Sequence, residues 1–179
     1  MTRIAFCFIV ILASTQVFAT PITCAFTSAD GSFLSAEGGG GGALHANRLA
    51  QGPWERFYVF TTCKNDCGPF KSGDEVCIQT DNGHFVVAEG GGGRETNANR
   101  IDCGPWERFH IFLLGNTPAG LFPVFGEFPH HGSIGIVPVA IRASDSSWVT
   151  AEGGGGGAVN ASRPAIGAWE RFNLRSIAP

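Results

Sequence analysis

The sequence predicts an all-β chain closed by threefold repetition, and three observations carry that expectation. A phrase of twenty-two residues occurs three times, as AEGGGGGALHANRLAQGPWERF from Ala36, AEGGGGRETNANRIDCGPWERF from Ala88 and AEGGGGGAVNASRPAIGAWERF from Ala151. The step from the first glutamate of each phrase (Glu37, Glu89, Glu152) to the glutamate of its WERF end (Glu55, Glu107, Glu170) is eighteen residues every time, so the phrase is one structural unit. The flanking segments, SFLSAE, HFVVAE and SWVTAE before the glycines and FYVF, FHIF and FNLR at the end, alternate apolar and polar in the manner of strands. Spacings of 52 and 63 residues between units are too long for a helical array, and three copies are too few for a propeller. About four short strands per copy, three times over, is the arithmetic of a β-trefoil.

Taken in order, residues 1–19 read as an export leader: Arg3, the apolar run IAFCFIVIL, then Val17, Phe18 and Ala19 as a small-residue cleavage site. That run is shorter than the roughly 20 residues a membrane span needs. Residues 20–179 then form one secreted domain, with copies at about 22–62, 74–114 and 137–177. Without Arg3, eleven of the twelve basic residues face fifteen acidic ones, a net charge of −4 with no basic run, which argues against nucleic acid and anionic membranes as partners. Cys24, Cys63, Cys67, Cys77 and Cys103 remain after the leader, an odd number that in an oxidising compartment predicts two disulfides and one thiol. Antiparallel pairing of the first and last strands of a copy favours Cys24 with Cys63, and Cys67 with Cys77. Asn160 begins a glycosylation sequon, relevant only in a eukaryotic host.

Within each unit, Phe33, Phe85, Trp148, Phe57, Phe109 and Phe172 read as threefold core packing. Trp54, Trp106 and Trp169 follow a turn and read as caps on the barrel or as ligand contacts, with capping favoured. The six repeated glutamates are balanced by Arg48, Arg100, Arg163, Arg56, Arg108 and Arg171, which predicts ion pairs within or between hairpins. The glycine runs 38–42, 90–93 and 153–157 fit either a turn that needs positive φ or a surface of bare peptide offered to a ligand.

The repeat AEGGGGGALHANR followed by GPWERF resembles that of the fascin-like family, whose members include actin-crosslinking proteins and modules attached to secreted carbohydrate-active enzymes. The resemblance spans about residues 22–177 and implies a β-trefoil. Actin-bundling fascins carry several trefoils, whereas this chain has one.

The copies differ in two places. The second hairpin carries Arg94 and Glu95 where the others have Gly-Ala, and Thr96 in place of Leu44 and Val159. The junction before the third copy is eleven residues longer and carries Phe122, Phe125, Phe128, His130 and His131. Candidate ligand-binding residues are therefore Arg94, Glu95, Asn99, Trp106, Phe122, Phe125, Phe128 and His130. Neither a Gly-x-Ser-x-Gly elbow nor HExxH is present, and the recurring acids recur by symmetry, so no catalytic residue, metal ligand or cofactor is expected. The expectation is a secreted, non-enzymatic module that binds a glycan or polysaccharide. The alternative is an extracellular protein-interaction module, inhibitor-like or actin-binding-like. The sequence does not specify an oligomeric state.

Overall fold

Period-two alternation becomes twelve strands in a computed structural model that describes residues 21–62, 70–115 and 135–177. The first copy contributes β1 (Ile22–Thr27), β2 (Phe33–Ala36), β3 (Leu44–Arg48) and β4 (Phe57–Thr61). The second contributes β5 (Asp74–Thr80), β6 (Phe85–Ala88), β7 (Arg94–Arg100) and β8 (Arg108–Leu113). The third contributes β9 (Ile136–Ala143), β10 (Trp148–Ala151), β11 (Gly157–Arg163) and β12 (Phe172–Ser176).

Six of these strands close a barrel through antiparallel pairs β1–β4, β4–β5, β5–β8, β8–β9, β9–β12 and β12–β1. Closure leaves no open edge in that barrel. The other six form three hairpins, β2–β3, β6–β7 and β10–β11, which meet one another through β11–β3, β11–β7 and the Ala43–Asn97 bridge. This is the β-trefoil that the repeat arithmetic predicts.

The core lies inside the barrel and is itself threefold. Phe57, Phe109 and Phe172 are each no more than 1% exposed, and burying a side chain of that size contributes about 1.5–3 kcal/mol. Around them pack Leu34, Val86 and Val149 with Val59, Ile111 and Leu174. The preceding aromatics behave differently from expectation. Alternation turns Leu34, Val86 and Val149 inward, so Phe85 joins a separate cluster with Cys77 and Cys103, and Trp148 packs outside on Phe112. Thr96, which replaces Leu44 and Val159, is buried, and its hydroxyl donates to the Val159 carbonyl of the next copy at 2.6 Å.

The glycine runs close the ring of copies. The Gly41, Gly93 and Gly156 amides each donate at 2.6 Å to a carbonyl in another copy, on Ala98, Ala161 and Ala46 respectively. Gly40, Gly92 and Gly155 adopt φ of +127°, +145° and +146° and lie against Asn82, Asp145 and Asp30 of the following copy, the third returning to the first. A Cβ at Gly155 would stand 2.0 Å from Asp30 Oδ1, so only glycine fits. The runs thus serve as turns and also as clasps between copies.

The cysteine pairing departs from the expected one. Cys77 is bonded to Cys103, and Cys24 is free and buried. β1 and β4 do pair antiparallel, but the register sets Cys24 opposite Phe57, six positions before Cys63, and its thiol enters the core. Cys77 has the opposite parity. Its alignment partner in the first copy is Ala25, one residue after Cys24, so it turns outward toward Cys103. Burial pushes the Cys24 thiol pKa well above its ordinary value. Cys63 and Cys67 lie outside the described residues, as do residues 1–19.

Candidate functional site

Each WERF motif opens on a one-turn bend that places its glutamate inside and its tryptophan outside. Short 3-10 turns span Pro53–Glu55 and Pro105–Glu107, and Glu55, Glu107 and Glu170 are each 5% exposed. Glu55 accepts from the Gly52 amide at 2.7 Å and Glu170 from the Gly167 amide at 2.6 Å, so each carboxylate ties down its own bend. Thr150 also donates to Glu170, a contact that Ser35 and Val87 do not reproduce in the other copies.

The repeated arginines bridge this inner acid to an outer one. Arg48 Nη2 meets Glu37 at 3.0 Å, and Arg100 and Arg163 meet Glu89 and Glu152 at 2.8 Å. Their Nε atoms point at Glu55, Glu107 and Glu170 at 4.0, 3.6 and 4.0 Å. Two of the outer acids accept from a further donor, Glu89 from Asn97 at 3.0 Å and Glu152 from Asn160 at 3.1 Å, while His45 Nδ1 lies 3.4 Å from Glu37. With their lone pairs engaged by protein donors, these glutamates hold the site together and leave little acceptor capacity for a ligand. The second arginine set is less regular: Arg56 meets Asp81 at 3.4 Å, Arg108 meets Glu75 at 3.2 Å, and Arg171 is exposed.

What the bridge presents is an indole. Trp54, Trp106 and Trp169 are 42%, 46% and 42% exposed, too open for the capping role favoured from sequence. Each lays its Cδ1 edge on a glycine, where an added Cβ at Gly39, Gly91 or Gly154 would come within 3.2, 3.3 or 3.2 Å. Arg48 and Arg163 lie over Trp54 and Trp169, each 5.9 Å from the ring centre. In two copies the bend that leads to the tryptophan also exposes an apolar side chain, Leu49 or Ile101. The result is three aromatic platforms laid on bare backbone, two of them, Trp54 and Trp169, also covered by an arginine.

The sequence-derived candidates distribute unevenly over this arrangement. Arg94 and Trp106 share one glycine run: the side chain of Arg94 passes by Gly90, and Trp106 and Ser144 pass by Gly91. Glu95 is exposed opposite Asn160 of the neighbouring copy, and exposed Asn99 accepts from Arg100 at 2.5 Å. Phe122, Phe125, Phe128 and His130 lie outside the described residues. Sequence reasoning undervalued Trp54 and Trp169, although their strict repetition was the available signal.

The chain matches no protein-family profile and no curated protein by sequence. Among solved structures it is similar to the SDF2-like protein from Arabidopsis thaliana, with TM-score 0.60, 9% identity, and 89% of this chain and 94% of that one covered. It is also similar to the Rhizoctonia solani agglutinin, with TM-score 0.57, 11% identity, and coverage of 91% and 100%. The exo-beta-1,3-galactanase 1,3Gal43A from Clostridium thermocellum matches at TM-score 0.61 and 10% identity over 87% of this chain but 30% of that chain. At such identities the likenesses establish the fold.

Proposed function

We propose that this protein is a secreted, non-enzymatic module that binds a glycan or polysaccharide through its three tryptophan platforms. The observation that carries the reading is the threefold set of indoles, 42–46% exposed, each laid against a glycine beside an arginine–glutamate bridge. A flat apolar ring beside polar groups suits a sugar, whose ring face is apolar and whose rim is hydroxylated. Three weak, equivalent sites gain strength together on a long polymer. The reading is supported by the names of two neighbours in fold, an agglutinin and a galactanase. A disulfide between Cys77 and Cys103, with no membrane-crossing helix among the described residues, accords with export by the leader at residues 1–19. The resemblance of the repeat to the fascin-like family, which includes modules of secreted carbohydrate-active enzymes, supports the same reading.

Retention on immobilised polysaccharides tests it. Each of Trp54→Ala, Trp106→Ala and Trp169→Ala should weaken binding about two- to tenfold, and the triple variant should abolish it while remaining folded. Deleting residues 119–131 should weaken it only in part. Failure to bind any polysaccharide, with a protein ligand captured instead and lost on that deletion, would replace this reading with the interaction-module alternative.

A further inference from the structure

The seam between the second and third copies carries a surface that the other two seams lack. Cross-strand register sets Glu75, His110, Arg142 and Trp148 in one row across β5, β8, β9 and β10. The same register places Tyr58, Gln79 and Phe85 at the first seam and Asn173, Thr27 and Phe33 at the third. Only the second seam has a cation at the middle position and a half-buried indole at the end.

Arg142 is held by rings rather than by acids. Its guanidinium carbon lies 4.9 Å from the Phe112 ring centre and 5.7 Å from that of Trp148, and those two rings meet edge to face at 5.3 Å. Glu75, the acid in the row, is occupied by Arg108 at 3.2 Å and the Thr62 hydroxyl at 2.5 Å. Arg142 Nε is buried without a hydrogen-bond partner, and among the described residues neither Nη group has one. A charged fork oriented by two aromatic faces and, among the described residues, unpaired suits a two-oxygen anion. Beside it, His110 Nδ1 donates to the Gly73 carbonyl at 3.0 Å, which leaves Nε2 as an acceptor for a hydroxyl.

We infer that the row His110, Arg142 and Trp148 is a subsite for an acidic sugar residue, with Arg142 taking its carboxylate or sulfate, Trp148 its ring face and His110 a hydroxyl. This rests on the glycan reading and names its substrate class. The chain as a whole is acidic, at −3, so a preference for polyanions has to come from a local site.

Binding is measured to two matched pairs, polygalacturonate against its fully methyl-esterified form and dextran sulfate against dextran, alongside a panel of neutral polysaccharides. The intact protein should bind at least one anionic member about tenfold or more tightly than its neutral partner, and the pair that responds separates carboxylate from sulfate. Arg142→Gln should erase that gap without changing affinity for neutral polymers. Arg142→Lys, which keeps the charge but not the fork, should retain part of it. A gap unchanged in a folded Arg142→Gln protein overturns the inference. Binding to neutral polymers with no anionic preference overturns it too, and leaves the glycan reading standing. Retention on no polysaccharide at all removes both.

Discussion

Replacing Gly155 by alanine tests whether the glycine runs clasp the copies together or merely turn the chain. At φ +146° the residue lies outside the left-handed well, a conformation that costs a non-glycine residue about 1–3 kcal/mol. The added Cβ would also fall 2.0 Å from Asp30 Oδ1 and 2.2 Å from its Cγ. Asp30 cannot swing aside freely, because Oδ1 accepts from the Ser32 amide at 2.8 Å and the Ser28 hydroxyl at 2.9 Å. The Ser32 amide bond is also the main reason the Asp30 carboxyl sits below its ordinary pKa. Giving up those bonds adds about 1 kcal/mol each, for a total of about 3–5 kcal/mol. Gly153 is the internal control: it has φ +73° and open space around its Cβ, so alanine there should cost about 1–2 kcal/mol.

Urea denaturation of Gly155→Ala, Gly153→Ala, Asp30→Ala and the Gly155→Ala/Asp30→Ala pair measures these terms, and in thermal melts the first two should differ by about 5–10 °C in Tm. Because the clashing atoms belong to the Asp30 side chain beyond Cβ, the double variant should be more stable than the sum of the singles by about 1–2 kcal/mol. Equal costs at Gly153 and Gly155, or strict additivity with Asp30→Ala, would refute the clasp.

Arg100→Ala should lower stability by about 1–3 kcal/mol, since Glu107 loses its cation while still buried, yet leave retention through the Trp54 and Trp169 platforms intact in the folded fraction. Thermal melts run beside the binding assay distinguish this from a ligand role. Reduction of the Cys77–Cys103 bond, which closes a 26-residue separation, should cost about 3.5 kcal/mol in denaturant. Cys24 should resist thiol reagents until the protein unfolds, and labelling of the native state followed by mass spectrometry would expose an error. Ser146 holds φ +78° where Gly31 and Gly83 stand in the other copies, so Ser146→Gly should stabilise the fold by about 1 kcal/mol in the same denaturation assay.

The fold was legible because repetition and period two are properties of the chain itself. Twelve strands, three hairpins and the inward set Phe57, Phe109 and Phe172 follow from spacing alone. The clasp was not, since it joins Gly155 to Asp30, residues brought together only when the ring closes. The usable hint was an acid or amide, Asp30, Asn82 or Asp145, three residues before the aromatic that opens the second strand of every copy. The disulfide failed for a related reason: pairing β1 with β4 is correct, but the register, which the sequence leaves open, decides that Cys24 meets Phe57. Tryptophan type was readable and tryptophan exposure was not, because exposure depends on how each indole lies against Gly39, Gly91 or Gly154 once the bend has formed.

Symmetry and its breach divide the proposed work between two kinds of surface. The glycine runs bind the two together, since adjacent residues do different jobs: Gly155 holds the next copy, while Gly154 supports the Trp169 ring. Any change that stiffens the run therefore disturbs a platform as well as a clasp, which explains why the platforms recur wherever the clasp does. The outer row at Arg142 is free of that constraint. Arg142 and His110 lie on barrel strands whose outward residues differ from copy to copy, Thr27, Gln79 and Arg142 at one register position, with no glycine run in those strands to preserve. Three matched platforms would supply affinity for a polymer, and selectivity for its charge would come from the seam where a single arginine breaks the pattern.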